Sequence, residues 1–193
     1  MILDDAYWQA RWEAENTPWD IGHASPAIVD FVKANIAKDA KILIPGCGNA
    51  YEAEALLNLG YENVHIIDLS KTALALFIDR VPHFPMAHIH CGDFFEMKDS
   101  FDVIIEQTFF CALEPTLRNA YAQKVYELLK SEGILTGLLF NIPLNADKPP
   151  FGGDIEAYKL IFDTLFTLVE IETCATSIKP RLGNELYIHF QKK

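Results

Sequence analysis

Residues 41–53 read KILIPGCGNAYEA, and this stretch decides the fold class. A short apolar run leads into two glycines, Gly46 and Gly48, and a helix-like segment opens near Ala50. Glycines between a strand and a helix N-terminus let a ligand come close to backbone N–H groups and to the helix dipole. A dinucleotide fingerprint needs a third glycine where this chain has Tyr51, and that ring disfavours the packing of an NAD site. The loop predicts a ligand site, with a ligand-free tight turn as the alternative.

Outward from this loop, short apolar runs alternate with helix-like segments. The predicted strands are 41–45, 63–68, 87–91, 101–106 and 133–140, and the predicted helices are 25–37, 50–59, 71–79, 114–129 and 155–162. Ser70 is expected to cap the third of these helices and Gly60 to end the second. This alternation is typical of a parallel sheet that is covered by helices on both faces.

Two final strand-like runs, 167–176 and 185–191, have only a turn between them. Consecutive strands without a helix between them predict a closing antiparallel hairpin. The predicted fold class is therefore α/β, a Rossmann-like, doubly wound, mostly parallel sheet with a C-terminal antiparallel hairpin. Residues 1–193 are interpreted as a single domain.

Composition limits the partners. The chain of 193 residues is 50% hydrophobic and has a formal net charge of −11. An acidic surface repels phosphate backbones and anionic membranes, so neither nucleic acid nor a membrane is expected as a partner. The four cysteines lack the spacing of a disulfide framework or a metal site, and the N-terminus lacks the pattern of a secretory signal. A cytoplasmic protein is expected, and its oligomeric state is left open.

Two acids follow the next two predicted strands. Asp68 ends one strand, twenty residues after Gly48, where an acid commonly accepts hydrogen bonds from both ribose hydroxyls; a helix-capping role is the alternative. Asp93 follows the next strand, where it can accept from an adenine amine while Phe94 covers the base. Because carboxyl ends of parallel strands share one edge of a sheet, these residues predict an adenosine pocket without a pyrophosphate grip. S-adenosylmethionine is the common cofactor that fits this description.

Longer motifs resemble those of one family. They are Trp8-x-x-x-Trp12, TPWDIG (17–22), LIPGCGNAYEA (43–53), IIDLS (66–70), CGDFF (91–95), FDVIIEQTFFCALEP (101–115) followed by Arg118, and Arg181-x-Gly183-x-Glu185. With them the chain resembles a class I S-adenosylmethionine-dependent methyltransferase. More narrowly, it resembles the thiopurine S-methyltransferase family and its halide, thiocyanate and thiol methyltransferase branch, over nearly the whole chain.

The resemblance implies that an aromatic N-terminal segment, residues 1–24, folds over the cofactor with Trp8, Trp12 and Trp19. Aromatic faces attract cations such as a sulfonium; packing of Trp8 and Trp12 against the core is the alternative. Glu106 stands where the halide branch usually has aspartate, and it is expected to contact the methionyl group.

The substrate side is expected to be lined by Phe109, Phe110 and Phe151. Arg118 and Arg181 are candidates for holding an anionic substrate or closing a lid, with a structural ion pair as the alternative. Gln107 also belongs to this predicted pocket, at a position that is often tyrosine in the halide branch, and this departure weakens an assignment to halides in particular.

Methyl transfer to a nucleophile that is already ionised needs no general base, since proximity, orientation and exclusion of water can suffice. His88, His90 and Cys111 are accordingly interpreted as structural, and no metal is predicted. The predicted function is methyl transfer to a small soft nucleophile, namely a thiol, a thiopurine, thiocyanate or a halide. A module that binds S-adenosylmethionine without turnover and an NAD-binding oxidoreductase domain are the alternatives.

Overall fold

The computed structural model describes residues 2–193, so that Met1, the first residue of the predicted 1–24 segment, lies outside the described residues. The strands are β1 (Ile42–Pro45), β2 (Val64–Asp68), β3 (Ile89–Cys91), β4 (Phe101–Gln107), β5 (Leu129–Phe140), β6 (Phe166–Thr173) and β7 (Glu185–Lys192). The helices are α1 (Asp5–Glu13), α2 (Pro26–Asn35), α3 (Tyr51–Asn58), α4 (Lys71–Arg80), α5 (Arg118–Leu128) and α6 (Ile155–Phe162). Within residues 2–193, none of the helices has the length and apolar character needed to cross a membrane.

All seven strands form one sheet in the order β3-β2-β1-β4-β5-β7-β6. The five strands from β3 to β5 are parallel, and β7 runs antiparallel to both of its neighbours, β5 and β6. The predicted doubly wound sheet with a closing antiparallel pair is confirmed. Its order reverses next to β1, so the carboxyl ends of β1, β2 and β4 meet around the glycine loop.

Several element boundaries differ from the predicted ones: β5 begins at Leu129 and not at 133, and proline accounts for two other differences. The helix predicted over 114–129 begins at Arg118, because Pro115 opens a separate 3-10 turn ahead of it. Similarly, Met86–His88 forms a 3-10 turn after Pro85, and only Ile89–Cys91 remains as a strand. Ser70 caps α4 as predicted, since its side chain accepts from the N–H of Ala73.

Side chains on successive strand residues enter two separate cores. In β1, Ile42 and Ile44 pack under α2, α3 and α4, whereas Leu43 packs on the opposite face under α5 and α6. This alternation follows from the strand period of two, and burial of each such side chain contributes about 1.5–3 kcal/mol. The sheet lies between these two cores and positions the strand ends that carry the predicted ligand residues.

Candidate active site

The glycine loop after β1 has a conformation that favours glycine. Gly46 and Gly48 have φ angles of 55° and 53°, in the left-handed region. A Cβ atom at Gly46 would collide with the ring of Phe109, and one at Gly48 would lie 3.1 Å from Cζ2 of Trp12. The rings of Phe109 and Trp12 thus pack directly against the backbone of the loop.

Asp68 connects this loop to the end of β2. One carboxylate oxygen accepts from the Gly48 N–H at 2.9 Å, and the other accepts from the Ser70 N–H at 2.8 Å. Burial raises the pKa of Asp68, and these backbone hydrogen bonds oppose the shift. Ser70, and not Asp68, caps α4 with its side chain. Each oxygen of Asp68 has a further lone pair available, so the group can accept two hydroxyls as well.

A cavity of about 1000 Å³ opens over these strand ends. Ten of the predicted site residues line it, namely Trp8, Trp12, Trp19, Gly46, Gly48, Asp68, Asp93, Phe94, Phe109 and Arg181. They come from segments spread over more than 170 positions of the chain, and the fold brings them to one place.

The far end of the cavity has an acid beside a flat aromatic wall. Asp93 uses one oxygen to accept from the Phe95 N–H at 2.8 Å, which leaves its other oxygen free. The ring of Phe94 is buried and meets the ring of Phe109 edge-on, with 5.4 Å between centroids. This end of the cavity can therefore accept hydrogen bonds and cover an apolar ring.

Helix α1 and the turn after it cover the cavity with tryptophan. Trp12 is buried, and the ring of Trp19 lies edge-on to Trp8 and Trp12, with centroid distances of 5.6 and 6.1 Å. The guanidinium of Arg11, which sequence reasoning missed, lies 5.0 Å from the centre of the Trp19 ring. A cation is thus already held against this aromatic cluster.

Gln9 joins this covering segment to the N-terminus of α4, and sequence reasoning missed it too. Its side-chain oxygen accepts from Ser70 Oγ at 3.0 Å and from the Thr72 N–H at 3.3 Å, and its nitrogen donates to Thr72 Oγ1 at 2.5 Å. No pattern near Gln9 in the sequence indicates a partner 61 residues away. Its position one residue after Trp8 is the only available hint.

Arg181 binds the covering segment at Trp19, on the opposite side from Gln9. Its guanidinium donates to the Trp19 carbonyl at 2.8 Å and to the buried carboxylate of Glu185 at 3.2 Å, and it lies 5.5 Å from the centre of the Phe140 ring. The residue lines the cavity while its charge is already paired. This arrangement matches the structural ion pair that was the alternative for Arg181.

Four other predicted residues lie behind the cavity wall. Glu106, Phe110 and Phe151 are buried and do not line the cavity. Arg118 donates to the Gly152 carbonyl at 2.8 Å and stacks at 4.9 Å from the centre of the Phe110 ring, so it supports the wall from outside. A backbone reversal at Thr108, with φ of 60°, sends Phe109 into the cavity and Phe110 into the core.

Gln107 lines a smaller neighbouring pocket of about 60 Å³, together with Glu52 and the glycine loop. Cys111 does line the main cavity, but burial raises its pKa to about 12, so it remains a neutral thiol. His88, in the turn before β3, and His90, in β3, lie elsewhere, and both rings stack on His65 of β2.

Residues 3–185 match the thiopurine S-methyltransferase family. The chain belongs to this family. It is 33% identical over 186 residues to a probable thiol methyltransferase 2 of Arabidopsis thaliana, covering 92% of this chain and 81% of that protein. It is 32% identical over 189 residues to thiocyanate methyltransferase 1 of the same plant, covering 95% of this chain and 83% of that protein.

Among solved structures, the chain superposes on 1,6-didemethyltoxoflavin-N1-methyltransferase of Burkholderia thailandensis with a TM-score of 0.80. The superposition covers 98% of this chain and 87% of that one at 15% identity. At that identity the likeness concerns the fold, which is the fold of an S-adenosylmethionine-dependent methyltransferase.

This member of the thiopurine S-methyltransferase family is an S-adenosyl-L-methionine-dependent methyltransferase, and its cavity fits that cofactor. The glycine loop leaves bare backbone where a Cβ would intrude, and two acids with free lone pairs lie at the end of β2 and just after β3. Tyr51 begins α3 with its ring 4.7 Å from the Arg80 guanidinium, and it occupies the third glycine position of a dinucleotide site. The family assignment and Tyr51 both disfavour the NAD alternative.

Proposed function

We propose that this enzyme methylates a small soft nucleophile, namely a thiol, a thiopurine, thiocyanate or a halide. The observation that carries the proposal is that the acceptor end of the cavity is lined mainly by apolar side chains. The relatives named thiol and thiocyanate methyltransferase, at 32–33% identity over nearly the whole chain, support the same class.

We propose cofactor-binding roles that are supported by the positions of the side chains. Asp68 would accept from the ribose hydroxyls, and Asp93 from the adenine amine. Phe94 would cover the adenine ring, and the backbone at Gly46 and Gly48 would face the amino-acid part. The cover of residues 2–24 would exclude water and present tryptophan faces to a cation, an attraction of roughly 0.5–2 kcal/mol.

When bound, S-adenosylmethionine supplies an electrophilic methyl group on a positively charged sulfur. The chain's own contribution is to place an acceptor beside it in a dry apolar site. That site is lined mainly by apolar residues, with one acid among them: Phe109, Cys111, Ala112, Leu113, Glu114, Leu117, Phe140, Pro149 and Pro150. Among the described residues, no histidine lines this cavity, and Cys111 stays protonated. We expect the acceptor to arrive already ionised, because a soft anion in a positioned, apolar site needs no proton acceptor.

We also propose that residues 1–193 act as one domain in the cytoplasm, with a small molecule as the acceptor. The net charge of −11 supports a small acceptor over nucleic acid.

Transfer of a labelled methyl group from S-adenosylmethionine to a panel of thiols, thiopurines, thiocyanate and iodide tests the function. We expect at least one acceptor to be labelled. Binding of S-adenosylhomocysteine without any labelled product would contradict the proposal and favour a sensor without turnover.

A further inference from the structure

The acceptor side of the cavity is formed by a short loop with a strained backbone. We call residues 107–113 the acceptor loop; Thr108, Phe109, Cys111, Ala112 and Leu113 of this loop line the cavity. Thr108 has a φ of 60°, which is unfavourable for a β-branched residue. Such a conformation persists only where surrounding contacts hold it.

Glu106 makes those contacts from the end of β4. Its Oε1 accepts from the N–H groups of Phe109 and Phe110, both at 2.8 Å, and its Oε2 accepts from the Tyr121 hydroxyl at 2.7 Å. The side chain is 1% exposed, so no water competes for these bonds. One carboxylate thus connects the acceptor loop to α5.

The charge of Glu106 has no cationic partner. In the part of the chain that the structure describes, its carboxylate takes part in no ion pair. Its neighbour on β5 is Gly137, which has no side chain. The titratable groups that face it are Tyr121 from α5, Tyr158 from α6 and Cys111 from the acceptor loop itself.

Burial of an unpaired carboxylate disfavours its ionised form. It raises the pKa of Glu106 from 4.5 to about 7, although the hydrogen bonds from Tyr121, Phe110 and Phe109 oppose the shift. An amide of the same shape would avoid this penalty. Stability alone therefore does not explain an acid at this position.

We propose that Glu106 is a positioning residue for methyl transfer, which holds the acceptor loop in its binding shape when ionised and loosens it when protonated. Hydrogen bonds to a charged acceptor are roughly twice as strong as neutral ones. The carboxylate accepts from the N–H groups of Phe109 and Phe110, which come shortly before the cavity-lining residues Cys111 and Leu113 in the chain. This inference rests on the proposed function, because it assigns the acceptor to that end of the cavity.

The first test is the pH dependence of KM for thiocyanate, an acceptor that carries no proton in the relevant range. In the wild-type enzyme we expect KM for thiocyanate to fall about tenfold between about pH 6 and about pH 8. In Glu106→Gln we expect KM to stay flat at the value that the wild type has at low pH. A Glu106→Gln enzyme that keeps the wild-type profile would overturn the proposal.

Two tyrosine variants test the proposal without changing Glu106 itself. Tyr121→Phe removes one donor to the ionised carboxylate, so the midpoint of the pH profile should move upward. Tyr61→Phe is the matched control, because this buried hydroxyl donates to the carbonyls of Val32 and Ile36 far from the acceptor loop. Equal midpoints in the two variants would contradict the proposal.

Hydrogen exchange separates this inference from the proposed function. The protection factors of the Phe109 and Phe110 amides should rise between about pH 6 and about pH 8 in the wild type and stay constant in Glu106→Gln. This measurement needs no turnover, so it remains decisive if every acceptor fails. Protection that is independent of pH in the wild type would refute the role of Glu106 even in an active enzyme.

Discussion

A methyl group added at Gly46 would meet two penalties at once. The φ of 55° disfavours any L-residue by about 1–2 kcal/mol, and the new Cβ would collide with the Phe109 ring. We expect Gly46→Ala to lower the free energy of unfolding by roughly 2–5 kcal/mol in chemical denaturation. Gly60→Ala is the control, since Gly60 has a φ of 84° with no atom within 4 Å of its Cβ position. Equal losses in both variants would mean that the contact with Phe109 is unimportant.

Asp68 is the single side chain on which cofactor binding should depend most. In Asp68→Ala the ribose would lose its acceptor, and the Gly48 N–H would lose its partner. We expect the affinity for S-adenosylhomocysteine, measured by calorimetry, to fall at least tenfold, since bonds to a charged group contribute about 1.5–3 kcal/mol. Asp79→Ala, at the exposed end of α4, should leave the affinity unchanged. An Asp68→Ala protein that binds normally would remove the pocket as we have assigned it.

Glu106 also makes the stability of the fold depend on pH. Because its pKa is raised from 4.5 to about 7, the folded state holds a proton that the unfolded chain releases, and stability falls as pH rises between these values. Above about pH 7, Glu106→Gln should therefore unfold at a higher temperature than the wild type. Its free energy of unfolding should exceed that of the wild type by up to the order of 3 kcal/mol. Below about pH 4.5 the two proteins should melt alike. A variant that is less stable at alkaline pH would show that the ionised carboxylate is favourable there.

At the scale of elements, α1 behaves as a cover whose docking rests on few contacts. Gln9 makes three of its hydrogen bonds to the first turn of α4 and its cap. In Gln9→Ala we expect S-adenosylhomocysteine to dissociate roughly three- to tenfold faster in stopped-flow tryptophan fluorescence, since each net hydrogen bond contributes about 1 kcal/mol. Gln123→Ala on α5 removes an exposed glutamine that bonds only to Glu127, and it should leave the dissociation rate as it is. Unchanged dissociation in Gln9→Ala would mean that α1 is held by its tryptophans alone.

At the scale of the whole molecule, the pH dependence of turnover should follow the acceptor. If the protein supplies no base, as we propose, an aliphatic thiol reacts through the fraction that has ionised in water. With a thiol pKa of about 8.5, its kcat/KM should rise roughly threefold from about pH 8 to about pH 9, above the range in which Glu106 titrates. The kcat/KM for thiocyanate should be constant over that interval. A thiol profile that is equally flat would reveal a proton acceptor in the protein.

The sequence by itself determined the fold class and the family, and it predicted the residues of the cofactor end of the site. The glycine loop, Asp68 and Asp93 each follow a strand, and carboxyl ends of parallel strands converge whatever the details of packing. The tryptophan pattern of the N-terminus was equally readable, because it is a local motif. None of these inferences depends on the direction in which a side chain points.

The tertiary structure decided which side chains face the proposed acceptor end. Glu106 shares its strand face with Ile104, so strand alternation points it to α5 and Tyr121 and away from the cavity. The reversal at Thr108 then separates Phe109 from Phe110, although the two are identical side by side in the sequence. Contacts such as Gln9 with Ser70 join residues with no local relation. Such features depend on how buried groups satisfy one another across the fold, and that is settled only when all elements have packed.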